Sequence, residues 1–268
     1  MPAGLPECGA AFFVVHQTPV LLRQPLMFPG IAMSIDRSLV AQLPLFAGLA
    51  PAALDEILRE AHSVRHPKDS VVFEQGGAPH SFFVLLHGHV RAVKTTPAGD
   101  QVVVRYIAPG EIFGVAMAIG APVYPASAIA VVDSIVLAWP SSAWPRLVAL
   151  HPALATNVLQ TVGGRLQDAN TRVVEMATEQ VERRVAHALL RLVKQAGRKV
   201  EQGIEIDFPI SRQDVAEMTG TTLHTVSRIL SAWEQQGLVE GGRQRIVLRE
   251  PHKLSSLAEG HDKQDGRH

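Results

Sequence analysis

Between Ser63 and Trp139 glycines cut the chain into short apolar runs, and that rhythm constrains the fold more than any other feature. The runs are SVVFEQ, SFFVLLHG, HVRAVKT, QVVVRYI, EIFGVAM, ASAIAV and SIVLAW, with glycines at 76, 77, 88, 99, 110, 114 and 120. Turn signals recurring about every eleven residues predict an antiparallel β-barrel or jelly roll. The segments PAGD (97–100) and APGE (108–111) read as two hairpin turns within it. Just before it, PAALDEILREA (51–61) reads as a helix opened by Pro51, with Leu54, Ile57, Leu58 and Ala61 in one stripe.

Beyond the strand-like region the period changes. Ala155, Leu159, Val162, Leu166, Ala169, Val173 and Met176 recur in steps of 4 and 3. That is the seam of a coiled coil. It is narrow and flanked by Arg165, Gln167, Asp168, Asn170, Arg172 and Glu175, so a dimerisation helix over 151–178 is expected, with Leu159, Val162, Leu166, Ala169, Val173 and Met176 as its seam. The alternative is a helix laid on its own barrel. Gly163 and Gly164 inside it weaken the helix by about 1 kcal/mol each.

EQVERRVAHALLRLVKQAG (179–197) predicts a second helix and IEIDFPI (204–210) a short strand. Ser211 with Asp214 three residues on forms a capping-box pattern, with Val215, Ala216 and Met218 facing inward. Gly220 makes a turn, and Thr221 or Thr222 caps a further helix whose apolar face is Leu223, Val226, Ile229, Leu230 and Trp233. LVEGGRQRIVLRE (238–250) reads as a hairpin with Gly241-Gly242 at its tip. Two short helices, a glycine turn and a hairpin make a winged helix-turn-helix. Its outer face then carries Thr222, His224, Thr225, Ser227 and Arg228. Arg can make two bonds to guanine O6 and N7, Ser and Thr suit phosphates or base edges, and the helix N-terminus attracts phosphate. Ser211, Gln213 and Thr221 complete the DNA-binding set, and Arg243, Arg245 and Arg249 on the wing add phosphate contacts. A plain solvated amphipathic helix would leave the wing and the capped first helix unexplained.

Composition sets limits on this reading. The 268 residues suffice for two domains of roughly 100–150 residues. The apolar content of 47 % supports a folded core. With 25 basic and 25 acidic residues, no global field draws the chain to nucleic acid, so DNA affinity must come from a local patch. No apolar run reaches the roughly 18–20 residues of a membrane span, and a cytoplasmic protein is expected. The single cysteine, Cys8, excludes an intrachain disulfide and a site built from several thiolates. Residues 1–32 hold five prolines and two charges without a persistent period, and are expected to form a disordered extension. MSIDRSLVAQLPLF from Met33 reads like a natural start. Residues 251–268 are expected to be a flexible tail.

The motifs LPLFAGL, SVVFEQGG, VLLHGHVRAVKTTPAGDQVVVRYIAPGEIFG, ERRVAHALLRL and ISRQDVAEMTGTTLHTVSRIL, in this order, resemble the CRP/FNR family of bacterial transcription regulators over roughly residues 42–250. The resemblance implies an α+β chain: a jelly-roll, cyclic-nucleotide-binding-like sensor domain (42–150), a dimerisation helix (151–178) and a C-terminal winged helix-turn-helix (179–250). It implies a homodimeric DNA-binding protein, not an enzyme, that works with RNA polymerase. Ser227 and Arg228 match the family's recognition helix and imply a TTG-type half-site. His224 stands where the family carries Glu, which alters the reading of that base.

The family's cyclic-AMP pocket uses a Gly-Glu-Leu segment and an Arg-Ser or Arg-Thr pair. Here those places hold Gly114-Val115-Ala116 and Tyr124-Pro125, so no basic group is left to neutralise a buried phosphate and cyclic AMP is not expected. An effector would instead meet Val115, Met117 and Tyr124. The oxygen-sensing branch needs four cysteines for its iron–sulfur cluster, which one cysteine excludes. What remains resembles the cysteine-poor DNR/NnrR-like branch, which implies a response to nitric oxide, haem as cofactor, and activation of denitrification genes. Haem needs an axial ligand, and His62, His66, His80, His87, His89 and His151 are the barrel-region candidates, none singled out. An effector-independent, FixK-like regulator is the alternative. A cupin-like metal enzyme is more remote, because HGH (87–89) has no matching Glu and third His.

Overall fold

The computed structural model describes residues 40–260, all within one compact unit. The expected extension 1–32 and the last eight residues of the expected tail lie outside the described residues. A short 3-10 helix at Pro44–Phe46 leads to α1 (Pro51–Arg59), whose Leu54 and Ile57 are buried. Eight strands follow: β1 (His62–His66), β2 (Val71–Phe73), β3 (Ser81–His87), β4 (Val90–Thr95), β5 (Gln101–Ile107), β6 (Ile112–Phe113), β7 (Ser127–Ala130) and β8 (Ser134–Pro140). They form two four-stranded antiparallel sheets, β1-β8-β3-β6 and β2-β7-β4-β5. This is the jelly roll that the glycine rhythm predicts.

Alternation explains how β3 and β8 can be apolar on both faces. Phe83 and Leu85 of β3, with Val136 and Ala138 of β8, face the barrel interior alongside Val90, Ile107 and Phe113. Phe82 and Val84, with Leu137 and Trp139, face outward onto a second core beneath Leu54, Ile57, Leu147, Leu154 and Val158. Trp139 is the anchor of that outer core. Its ring stacks on Phe82 at 5.4 Å, and its indole N–H donates to the Ile57 carbonyl at 2.8 Å.

PAGD closes the β4–β5 hairpin, with the Thr96 amide donating to the Asp100 carbonyl at 2.8 Å. APGE is a turn but not a hairpin. β5 pairs with β4 while β6 crosses to pair with β3 in the other sheet. The sequence marks the turn but not the change of sheet.

After α2 (Trp144–Leu150) comes α3 (Pro152–Thr178), with Leu154 and Val158 buried on the barrel. Further along, the seam residues Leu159, Leu166, Ala169, Val173 and Met176 are exposed and Val162 is half-buried. The seam therefore stays on the chain's own barrel as far as Val162, and beyond it Leu166, Ala169, Val173 and Met176 do not. The C-terminal domain comprises α4 (Val181–Ala196), β9 (Gly197–Val200), β10 (Gly203–Ile206), α5 (Arg212–Thr219), α6 (Leu223–Gln235), β11 (Val239–Gly242), β12 (Arg245–Leu248) and α7 (Pro251–Glu259). Its sheet runs β11-β12-β10-β9.

Four expectations need correction here. The strand at 204–210 ends at Ile206, and the unexpected β9 pairs with it. The wing turns at Arg243-Gln244, where Gln244 adopts φ 57°, while Gly241 and Gly242 sit within β11. Residues 251–259 are not a flexible tail. They form α7, with Leu254 and Ala258 buried in the domain core and the Arg183 guanidinium donating to the Ala258 carbonyl at 2.8 Å. Pro251 in the first turn and the Leu254–Leu257–Ala258 spacing are the signals that mark this helix. Lastly, Leu223 does not join the apolar face of α6, being 47 % exposed.

Trp139→Ala should cost about 3–5 kcal/mol in urea unfolding, because it empties the outer core and removes a buried hydrogen bond. Trp139→Phe should cost clearly less. Equal losses would show that the indole N–H, not ring volume, holds the site.

Candidate nucleic-acid interface

The first helix of the pair, α5, starts on a closed capping box. The Ser211 hydroxyl accepts from the Asp214 amide at 3.1 Å, and the Asp214 carboxylate accepts from the Ser211 amide at 2.7 Å. The other Asp214 oxygen accepts from the Arg91 guanidinium of β4 at 2.9 Å, with both side chains largely buried. Ser211 and Gln213 line a cleft with Lys68, Arg91 and Gln101 of the sensor domain. Gln213 also donates to Glu217 at 3.0 Å. These two expected DNA-contacting residues therefore face the sensor domain.

Gly220 turns the chain in a left-handed conformation, φ 61°. Thr222, not Thr221, caps α6, accepting from the Thr225 amide at 3.2 Å. Val226, Leu230 and Trp233 are buried beneath the helix, and the Trp233 indole donates to Glu182 at 3.0 Å. That anchoring leaves Thr222, His224 and Arg228 exposed and Thr221, Thr225 and Ser227 half-exposed. His224 and Arg228 stand one turn apart on the same face. The free amides at the start of α6 point the same way and favour a phosphate.

The wing arginines divide into two kinds. Arg245 donates to Glu205 at 2.9 Å and to Glu240 at 3.0 Å, and these bonds hold its guanidinium above its usual range. Arg249 pairs with Glu240 at 2.9 Å. Arg243, at the exposed tip, has no carboxylate partner among the described residues, and neither does Arg228. The sequence could not distinguish these groups, because Glu205 lies 40 residues from Arg245.

The expected effector residues do not converge. Val115 and Met117 pack into the outer core beside Trp139. Tyr124 lies elsewhere, stacked on Phe73 at 3.9 Å, with its hydroxyl donating to the Ser81 carbonyl at 2.5 Å. Phe73 also stacks on Phe83 and Phe113, so rings fill this part of the barrel. Among the barrel-region histidines, only His89 is buried. Burial holds its imidazole below its usual range, and the ring packs on Phe208 at 4.6 Å. His87 is exposed on the other side of Gly88, and His151 pairs with Glu56 at 3.1 Å. No group of three or more His, Cys, Asp or Glu that could hold a metal occurs among the described residues. No helix among them is long and apolar enough to cross a membrane.

A jelly roll, a long helix and a winged helix-turn-helix with a free, capped reading helix define a DNA-binding transcription regulator. A family model of the Crp-like helix-turn-helix domain matches residues 183–257, and one of the cyclic nucleotide-binding domain matches residues 63–151. The chain is 31 % identical over 217 residues to the cyclic AMP receptor protein of Thermus thermophilus, covering 81 % of this chain and 97 % of that one. It is 27 % identical over 219 residues to the nitrogen fixation regulation protein FixK of Bradyrhizobium diazoefficiens, covering 79 % and 88 %. The solved structure of FixK2 from Bradyrhizobium japonicum matches with a TM-score of 0.65 at 26 % identity, over 74 % of this chain and 96 % of that one. The chain belongs to the CRP/FNR family of transcription regulators.

Arg228→Ala should weaken binding to the specific site by about 1–3 kcal/mol and relax choice at one base pair, whereas Arg243→Ala should weaken specific and random duplexes alike and lower the salt slope by about 1. Arg245→Ala should leave the salt slope unchanged, because its charge is already paired. Anisotropy titrations across a salt series check all three. A uniform loss for Arg228→Ala would remove its base-reading role.

Proposed function

We propose that the protein acts as a homodimer on a palindrome of TTG and CAA half-sites, and works as an activator through RNA polymerase. The carrying observation is the α3 seam. Leu159, Leu166, Val173 and Met176 are 71, 62, 65 and 46 % exposed in the single chain. Large apolar side chains repeated at heptad spacing suit a second copy of the same helix. A two-fold pair of reading heads in turn matches an inverted repeat. Ser227 and Arg228 support the TTG assignment by their match to the family's helix. His224 offers one acceptor nitrogen where a carboxylate offers two oxygens, so discrimination at that base should be looser.

Two readings of the signal each have an observation behind them. One is a response to nitric oxide, with haem as cofactor and denitrification genes as targets. It rests on the DNR/NnrR-like resemblance, on the absence of the cyclic-AMP groups at Gly114-Val115-Ala116 and Tyr124-Pro125, and on the single cysteine. His89 is the buried imidazole it would draw on, with its ring packed on Phe208. The other is an effector-independent regulator controlled by its own abundance. The ring-filled barrel around Phe73 and the likeness to FixK support it.

Anisotropy with a TTG/CAA duplex, without oxygen, separates these readings. The protein is titrated alone, with cyclic AMP, with haem, and with haem plus nitric oxide. Tightening only in the last arm is the nitric oxide outcome, and equal affinity in all four is the effector-independent one. Tightening with cyclic AMP would overturn both. For the dimer, Leu166→Lys should give the monomer mass in sedimentation equilibrium. A dimer mass after that change would disprove the seam.

A further inference from the structure

Two valines of β5 stay uncovered in the single chain. β5 is an edge strand of its sheet, and Val102 and Val104 are 38 and 39 % exposed. An apolar sheet edge left open is a liability that proteins cover. One face of the β4–β5 hairpin is already committed, because Val93, Val103 and Tyr106 share a core with the DNA-binding head. Val102 and Val104 alternate with Val103 and fall on the reverse face. That face looks toward α3, whose Arg172 guanidinium donates to the Val104 carbonyl. In the heptad, Leu159, Leu166 and Val173 take the a positions and Val162, Ala169 and Met176 the d positions. Arg165 and Arg172 are then g residues and Glu175 a c residue. This flank rests on the chain's own elements, since Arg165 donates to the Ile112 carbonyl and Glu175 pairs with Arg191. The opposite flank carries Asn170 and Ala177 at e and Val174 at b. Val174 is the one large apolar residue of α3 exposed outside the seam, at 59 %.

In a parallel two-fold pair, the g flank of one helix lies beside the e flank of the other. A hairpin held on the g flank of its own helix therefore stands next to the e and b residues of the second helix. Arg172 fixes its height, and Val174 is two residues on, about 3 Å along the axis. We infer that Val102 and Val104 pack on Val174 of the partner subunit. Each hairpin is then held between its own DNA-binding head and the partner's helix. This clasp fixes each head against the two-fold axis, and so sets the distance between the two reading helices that a palindrome requires. The inference rests on the homodimer of the proposed function, and needs neither the TTG assignment nor any effector.

The test uses the full-length protein with Cys8→Ser, which removes the one native thiol. Within a chain, positions 104 and 174 lie on opposite flanks of α3, so a bond between them joins subunits. Under mild oxidation the Val104→Cys/Val174→Cys protein should run at twice the chain mass on a non-reducing gel, while neither single variant should. Sedimentation of the reduced protein accompanies the gel. A dimer that forms no covalent pair would overturn the clasp and leave the homodimer standing, whereas a monomer would remove both. For the spacing role, a palindrome selected from random duplexes by the wild type is compared with the same palindrome lengthened by a central base pair, in whichever of the four arms binds DNA most tightly. Val174→Asp should keep the dimer mass and narrow the wild type's preference for the selected spacing about fivefold or more. Adding Val104→Lys should restore that preference by pairing the two charges. An unchanged spacing preference in Val174→Asp would overturn the inference.

Discussion

The ring of Phe208 is the contact on which the arrangement of the two domains depends. It lies between His89 and Tyr106 of the sensor sheet, at 4.6 and 4.5 Å. Around it, Val93, Val103, Tyr106 and Val131 of the barrel share one core with Val185, Leu189, Val215, Val226 and Trp233 of the DNA-binding head. The head is thus packed onto β4 and β5 and does not hang from a linker. The Arg91–Asp214 pair closes the same seam from the polar side and is tied to the capping box that starts α5. A lone buried ion pair contributes little net stability, but loss of either partner would strand a charge. The pair therefore does more to fix orientation than to hold the domains together.

Charge follows the same economy. The chain is neutral overall, yet its reading face keeps unpaired cations. Glu240 and Glu205 hold Arg245, Glu240 holds Arg249, Glu175 holds Arg191 and Glu234 holds Arg212. Carboxylates neutralise the structural arginines and leave Arg228 and Arg243 open. A protein with no net field can then bind DNA through a small patch, with a modest salt dependence set by the few phosphates it neutralises.

Periodic signals were legible wherever one physical requirement dominated. Six of the seven glycine-bounded runs became strands, whereas EIFGVAM gave only the two-residue β6 before a 3-10 helix at Val115–Ile119; the capping box at Ser211 closed as the pattern required, and Gly220 took the left-handed turn. The misreadings share a cause. APGE looked like a hairpin because a turn motif does not say which strand follows in space. Gly241-Gly242 looked like a tip, but two non-glycine residues make the turn, with Gln244 left-handed. Leu223 looked buried because an apolar residue in helical register usually is. Its place at the end of α6 removes the neighbours that would cover it.

The sequence by itself determined most of the strands, helices and turns, and which family they make, because those properties are set by spacing within a few residues; it missed β9 and α7. It also fixed that the chain has a single cysteine. Only the tertiary structure decided which groups remain free to act. Ser211 and Gln213 turn to the sensor cleft, Arg245 is bound by carboxylates from two other strands, and Val115, Met117 and Tyr124 part into different layers. Each of these outcomes involves at least one partner 40 or more residues away, as Glu205 is from Arg245 and Ser81 from Tyr124. Local pattern carries no information about which distant surface a folded chain brings against a given side chain.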